Sequence, residues 1–139
     1  MADIIRNFLD KLMLEDGEHV LVDMEAGVES FGRGVERSVD TVLIIVEPSF
    51  ESISLAEKIH YMAQEIGVNT VRAVLTKVPS REVEERILEK LRNLNIISIG
   101  TIYYDLQVNE DGFEGRSLGE SRATEDVRKI VQTLVDARI

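Results

Sequence analysis

The 139-residue chain has no cysteine. Disulfides, thiolate metal sites, iron–sulfur ligation and cysteine nucleophiles are excluded together, and a cytoplasmic location is the expected one. Long apolar runs are missing too. The longest, Val42 to Val46, falls far short of the ~20 residues that a membrane span needs. Met1-Ala2-Asp3 opens without the basic and apolar regions of a secretory signal, so none is expected. Basic residues are in deficit: 16 Lys+Arg stand against 26 Asp+Glu, a formal net charge of −10. No run of Lys/Arg exceeds two residues. Such a surface repels phosphate backbones and anionic lipid, which argues against nucleic acid or a membrane surface as partner. What is present is apolar material. At 44% hydrophobic residues the chain can build a core, unlike a disordered acidic polymer.

The pattern along the chain predicts alternating helices and strands. Ile4, Ile5, Phe8, Leu9 and Leu12 recur at helical spacing and Gly17 supplies a stop, so residues 2–14 are expected to be an amphipathic helix. His19 to Asp23 (HVLVD) and Asp40 to Glu47 (DTVLIIVE) have the continuous apolar character of strands covered on both faces. Ser54 with Glu57 forms a capping-box pattern, and Ala56, Ile59, Ala63 and Ile66 share a face, predicting a helix over 52–66. Thr70 to Thr76 is the next strand. Pro79-Ser80 opens a helix whose inward stripe is Val83, Ile87, Leu91 and Leu94. Ile96 to Tyr103 is a further strand. Residues 105–121 carry Gly112, Gly115 and Gly119 without a period, and are expected to be an ordered loop or lid. The last helix is placed near Thr124, burying Val127, Ile130, Val131 and Leu134.

Strands separated by helices imply right-handed βαβ crossovers. The expected fold is a single α/β domain over residues 1–139, three-layer α/β/α with a mainly parallel sheet of about four strands. Ligands of such sheets bind beyond the carboxyl ends of the strands. Those ends fall at Asp23, Glu47, Thr76 and Tyr103. Asp23 leads into Glu25-Ala26-Gly27, and two readings stand side by side. A carboxylate there can hold the water shell of Mg²⁺ while the glycine lets backbone approach a phosphate. Alternatively Asp23 caps the turn and Gly27 supplies a positive φ.

The wording of residues 20–59 narrows this. VDMEAG, GRG at 32–34, VD at 39–40, VEPS at 46–49 and IGTIYYD at 99–105 occur in an order and spacing that resemble the MinD-like ATPases, specifically the CooC type that serves nickel carbon monoxide dehydrogenase. The resemblance covers nearly the whole chain. It implies a P-loop nucleotide-binding fold using ATP and Mg²⁺, with Asp23, Glu25 and Gly27 at the family's switch II, Asp23 being linked to Mg²⁺ through water. It also implies that Thr76-Lys77 stands where the family has Asn-Lys for adenine contact, and that Tyr103, Tyr104 and Asp105 approach base and ribose. Thr is a departure, since its single hydroxyl offers less to a base edge than an amide does.

A P-loop needs G-x-x-x-x-G-K-[ST], so that backbone N–H groups and one Lys neutralise the phosphates. None of the five lysines (Lys11, Lys58, Lys77, Lys90 and Lys129) follows a glycine. The resemblance therefore implies the carboxyl-terminal half of such a protein, inactive alone. In the family the P-loop strand lies between the strands corresponding to 19–23 and 40–47. Its absence predicts association, with a separate P-loop half or with a second copy as a homodimer, and a metalloenzyme such as carbon monoxide dehydrogenase as a further partner. A degenerate, non-catalytic dimerisation or regulatory protein is the alternative.

Other signals are weaker. Gly32-Arg33-Gly34 lacks the last glycine of a dinucleotide loop, because Arg37 stands there. Residues 107–118 put Leu118 where a calcium loop needs Glu. His19 and His60 are isolated, so no transition-metal site is expected. No grouping of Ser, His and Asp stands out in the sequence, which leaves serine-hydrolase chemistry unsupported.

Overall fold

The computed structural model describes residues 7–8, 11–24, 39–68 and 70–137. The element order is β1 (Thr41–Val46), α1 (Phe50–Glu65), β2 (Thr70–Val78), α2 (Arg81–Asn93), β3 (Ile97–Tyr103), α3 (Leu106–Glu114) and α4 (Arg122–Ala137). The three strands form one parallel sheet in the order β1-β2-β3. This is the expected α/β class, with three strands among the described residues.

One face of the sheet carries the core. The register pairs Val42 with Val71, Ile44 with Ala73 and Val46 with Leu75, so alternate residues of both strands face the same way. They pack against Ala56 and Ala63 of α1 and Ile87 and Leu91 of α2. Leu75, Leu91, Ile96, Val46 and Val78 are fully buried. α1 begins earlier than expected. Its N-cap is Ser49, whose hydroxyl accepts from the Ser52 N–H at 3.1 Å, while the Ser52 hydroxyl accepts from the Glu47 N–H at 2.9 Å. Two serines thus satisfy donors that the strand-to-helix turn would otherwise orphan. At α2 the cap is Ser80, accepting from Val83.

α4 covers the opposite face, packing on β3. Gly100 makes this possible: a Cβ there would collide with the Ile130 side chain, meeting its Cδ1 at 3.1 Å and its Cγ1 closer still. Val127 and Val131, expected to be buried, are 42% and 50% exposed. The helix turns Ala123, Asp126 and Ile130 to the protein instead. Its docking is set by the Gly100 contact and by a polar anchor at Asp126, neither of which hydrophobic periodicity registers.

Two further expectations are corrected. Residues 106–114 are a helix rather than a loop or lid. Local hydrogen bonding builds it: Asp105 caps the start, Gly115 ends it at φ 67°, and the Arg116 N–H returns to the Asp111 carbonyl at 2.8 Å. Residues 19–23 form no strand, and Leu21 is 87% exposed. A parallel strand needs a neighbour for its backbone groups, and β1 pairs only with β2 among the described residues. Of the expected first helix, residues 7–8 are helical and 12–15 are not. The remainder of that helix before Lys11 lies outside the described residues.

Gly100→Ala is expected to destabilise the protein by about 1–3 kcal/mol through overpacking. Pairing it with Ile130→Ala restores part of the loss. A urea titration of the two variants checks this, since a backbone effect at Gly100 would not respond to Ile130.

Candidate functional site

The carboxyl edge of the sheet gathers Glu47 after β1, Thr76 and Lys77 at the end of β2, and Tyr103 to Asp105 after β3. β2 bulges here. Leu75 pairs with Thr101 and Val78 with Tyr103, so β2 spends one residue more than β3 over the same rise. Lys77 takes up the extra length at φ 54°, a left-handed conformation that costs a residue with a Cβ roughly 1–2 kcal/mol. The bulge lets the Lys77 Nζ reach sideways to Glu47 Oε1, 2.6 Å away. Both side chains remain about half exposed or more, so the pair is worth at most about 1 kcal/mol.

Tyr103 is held on three sides. Its hydroxyl donates to Glu84 Oε2 of α2, the Arg122 guanidinium of α4 lies 4.2 Å from its ring centroid, and its N–H donates to Asp126 Oδ2 at 3.2 Å. The Glu84 carboxylate accepting that proton, with burial and the Glu84 charge, pushes the phenol above its ordinary value against the pull of Arg122 and Arg81. Asp126 is buried yet satisfied, taking the strand N–H on one oxygen and Lys129 Nζ at 3.4 Å on the other. Tyr103 thus ties β3, α2 and α4 together. Tyr104 donates its N–H to the Val78 carbonyl at 2.8 Å and leaves its ring 49% exposed at the edge.

Asp105 starts two helices at once. Oδ1 accepts from the Gln107 N–H at 3.0 Å, capping α3, and Oδ2 accepts from the Ala123 N–H of α4, also at 3.0 Å. The Ala123 bond leads in holding this carboxyl below its ordinary value of 3.8. Behind it, buried Asp111 receives the Arg116 Nε and Gln107 Nε2 groups, each at 2.9 Å.

The edge therefore brings together Thr76, Lys77, Tyr103, Tyr104 and Asp105, five of the residues singled out from sequence. Asp23 is exposed in irregular chain, and Glu25 and Gly27 lie outside the described residues, as does Gly32-Arg33-Gly34. Glu84, Arg122 and Asp126, which complete the setting of Tyr103, went unnoticed in the sequence. They come from two helices far apart along the chain, and no spacing rule connects them.

A parallel sheet with helices on both faces and a polar carboxyl edge makes this a three-layer α/β protein of the kind that binds ligands at its strand ends. Comparison with known proteins agrees, although no family model matches the chain. The chain is 34% identical over 134 residues to an ATP-binding protein of Methanocaldococcus jannaschii, covering 96% of this chain and 51% of the relative. It is 32% identical over 102 residues to the carbon monoxide dehydrogenase accessory protein CooC of Rhodospirillum rubrum, covering 73% of this chain and 38% of that protein. The MinD cell division protein of Aquifex aeolicus shares its fold with a TM-score of 0.64 at 16% identity, over 76% of this chain and 48% of that one. The chain is thus related in sequence to ATP-binding proteins and to CooC, and it shares the fold of MinD. It spans about half the length of the curated relatives it matches.

Because the folded carboxylate of Asp105 titrates below its unfolded value, its contribution to stability is present above about pH 4 and is lost as pH falls through the folded pKa. Asp105→Ala is accordingly expected to lower Tm at pH 7, with the gap to wild type shrinking as pH drops toward 2. Thermal scans by circular dichroism across that range check it; a gap independent of pH would remove the charged cap from the account.

Proposed function

We propose that this chain supplies the base side and the switch side of a CooC-like nucleotide-binding protein, the phosphate cradle being contributed from outside these 139 residues. The assembled unit serves cofactor insertion in a nickel metalloenzyme such as carbon monoxide dehydrogenase. The observation that supports the reading is that, among the described residues, β1 pairs only with β2 and residues 19–23 form no strand, where a strand from a phosphate-loop half would serve both. The similarity to CooC supports the metalloenzyme side of the reading.

The residues at the carboxyl edge fit one end of a nucleotide and not the other. Thr76, Tyr104 and the bulged Lys77 offer a hydroxyl, an exposed ring and a cation, suited to a base and its ribose. For a triphosphate the fit fails. No lysine of the chain follows a glycine, and Lys77 is already engaged by Glu47. Asp23 takes the Mg²⁺-side role only when the phosphate half is in place.

Calorimetric titration of the chain with Mg·ATP is expected to give no binding in the micromolar range. Addition of the part of the Methanocaldococcus jannaschii relative outside the matched span is expected to yield ATP hydrolysis, abolished by Asp23→Ala. Micromolar binding by the chain alone would overturn the division of labour, and hydrolysis insensitive to Asp23→Ala would remove that residue from it.

A further inference from the structure

Carboxylates, rather than an apolar face, join α3 to the body of the protein. None of its residues belongs to the hydrophobic core. The side it turns inward carries Asp111, which receives Arg116 and Gln107, while Asp105 caps its start. Its outward side is apolar where solvent favours polar groups. Leu106 and Phe113, seven residues apart and so on one helical face, are 59% and 89% exposed, with Glu110 between them and Glu114 beside them. The helical rise sets these two anchors about 10 Å apart along the axis. Among the described residues neither Glu110 nor Glu114 pairs with a cation. Negative charge is concentrated here: residues 105–120 hold five acidic side chains and one basic one. That basic residue, Arg116, is already bound to Asp111.

We propose that the outward face of α3 is a docking surface for a basic amphipathic helix of another protein. Aliphatic residues of that helix meet Leu106 and Phe113, and its flanking Lys or Arg side chains meet Glu110 and Glu114. The spacing selects a helix. Two helices that each expose a seven-residue repeat set anchor against anchor over two turns. An extended segment shows one face every second residue, roughly every 7 Å, and misses the second anchor. Charge then selects the kind of partner. A nucleic acid or an anionic lipid surface is repelled. A second copy would bring Glu110 and Glu114 against their like, which favours separation. The chain's own residues 1–10 and 25–38 each hold one more acidic than basic side chain and supply no cationic stripe. A protein helix edged with lysine or arginine satisfies both the spacing and the charge. This surface stands whether or not the neighbouring carboxyl edge takes a nucleotide.

Two fluorescein-labelled peptides of leucine and lysine, each of about 18 residues so that a helix can form, serve as probes. One carries its leucines on a single helical face, and the other has the same composition with the leucines scattered. Anisotropy titrations compare the wild-type chain with Phe113→Ser and with the pair Glu110→Gln and Glu114→Gln. Two controls lie away from α3: Phe50→Ser, whose parent ring is 76% exposed at the start of α1, and the exposed pair Glu82→Gln and Glu89→Gln on α2. The patterned peptide is expected to bind about tenfold more tightly than the scattered one, an advantage that Phe113→Ser removes. The Glu110 and Glu114 pair is expected to weaken binding about threefold, and both controls to bind as wild type does. No binding of the patterned peptide, equal binding of the two peptides, α3 variants that bind like wild type, or losses as large in the controls overturns the surface. A wild-type dimer in size exclusion that Phe113→Ser dissociates overturns the proposed occupant in favour of a second copy.

Discussion

A parallel β-strand depends on its neighbours more than any other element does. It makes no hydrogen bonds within itself, it needs partners at both edges, and its side chains need cover on both faces. β2 meets all these conditions: it lies between β1 and β3, with Ala73 and Leu75 buried on one face and Val74 on the other. β1 meets half of them. Its Ile44 and Val46 are buried under the helices while Ile45, one residue between, faces outward. That contrast within three consecutive residues separates the face of β1 that the helices cover from the face left open among the described residues.

The carboxyl edge follows from the same sheet. Parallel strands all point one way, so their ends and the helix starts that follow gather on one side. Here the edge is fixed by polar anchors. Asp105 caps two helices, Asp126 holds the last strand residue, and Glu84 and Arg122 grip Tyr103 from opposite faces of the sheet. A strained residue, Lys77 at φ 54°, sits in this otherwise well-anchored setting. Strain of that kind persists only where its surroundings enforce it, and it concentrates at functional positions.

What could be read from sequence divides along a physical line. The runs at 40–47 and 70–76 announced strands because the strands of a parallel sheet are largely apolar, although Ile45 in the first of them is exposed. The stripe Val83, Ile87 and Leu91 announced α2 because one buried helical face repeats every three to four residues. α3 was illegible since it buries a carboxylate, Asp111, where a hydrophobic stripe would be sought, and it contains Gly112. At α4 the error lay in which face is buried. Periodicity reports that a stripe exists, whereas the choice between Ile130 and its valine neighbours was made by Gly100 on another element. Thr76 and Tyr103 were legible because strand ends converge by topology, whereas Lys77, Tyr104 and Asp105 came with the family resemblance. Their partners Glu84, Arg122 and Asp126 depend on tertiary geometry.

Electrostatics then separates the two ends of a nucleotide ligand. A chain with a formal charge of −10 presents a field that opposes a polyphosphate, so phosphate affinity requires local cations that outweigh it. At this edge Lys77 is matched by Glu47 and Arg122 rests on an aromatic ring. The Lys77–Glu47 pair is exposed and cheap to open. Opening it also releases a carboxylate, so the net charge offered to a phosphate does not rise. The edge is thus compatible with recognition of the uncharged end of a nucleotide.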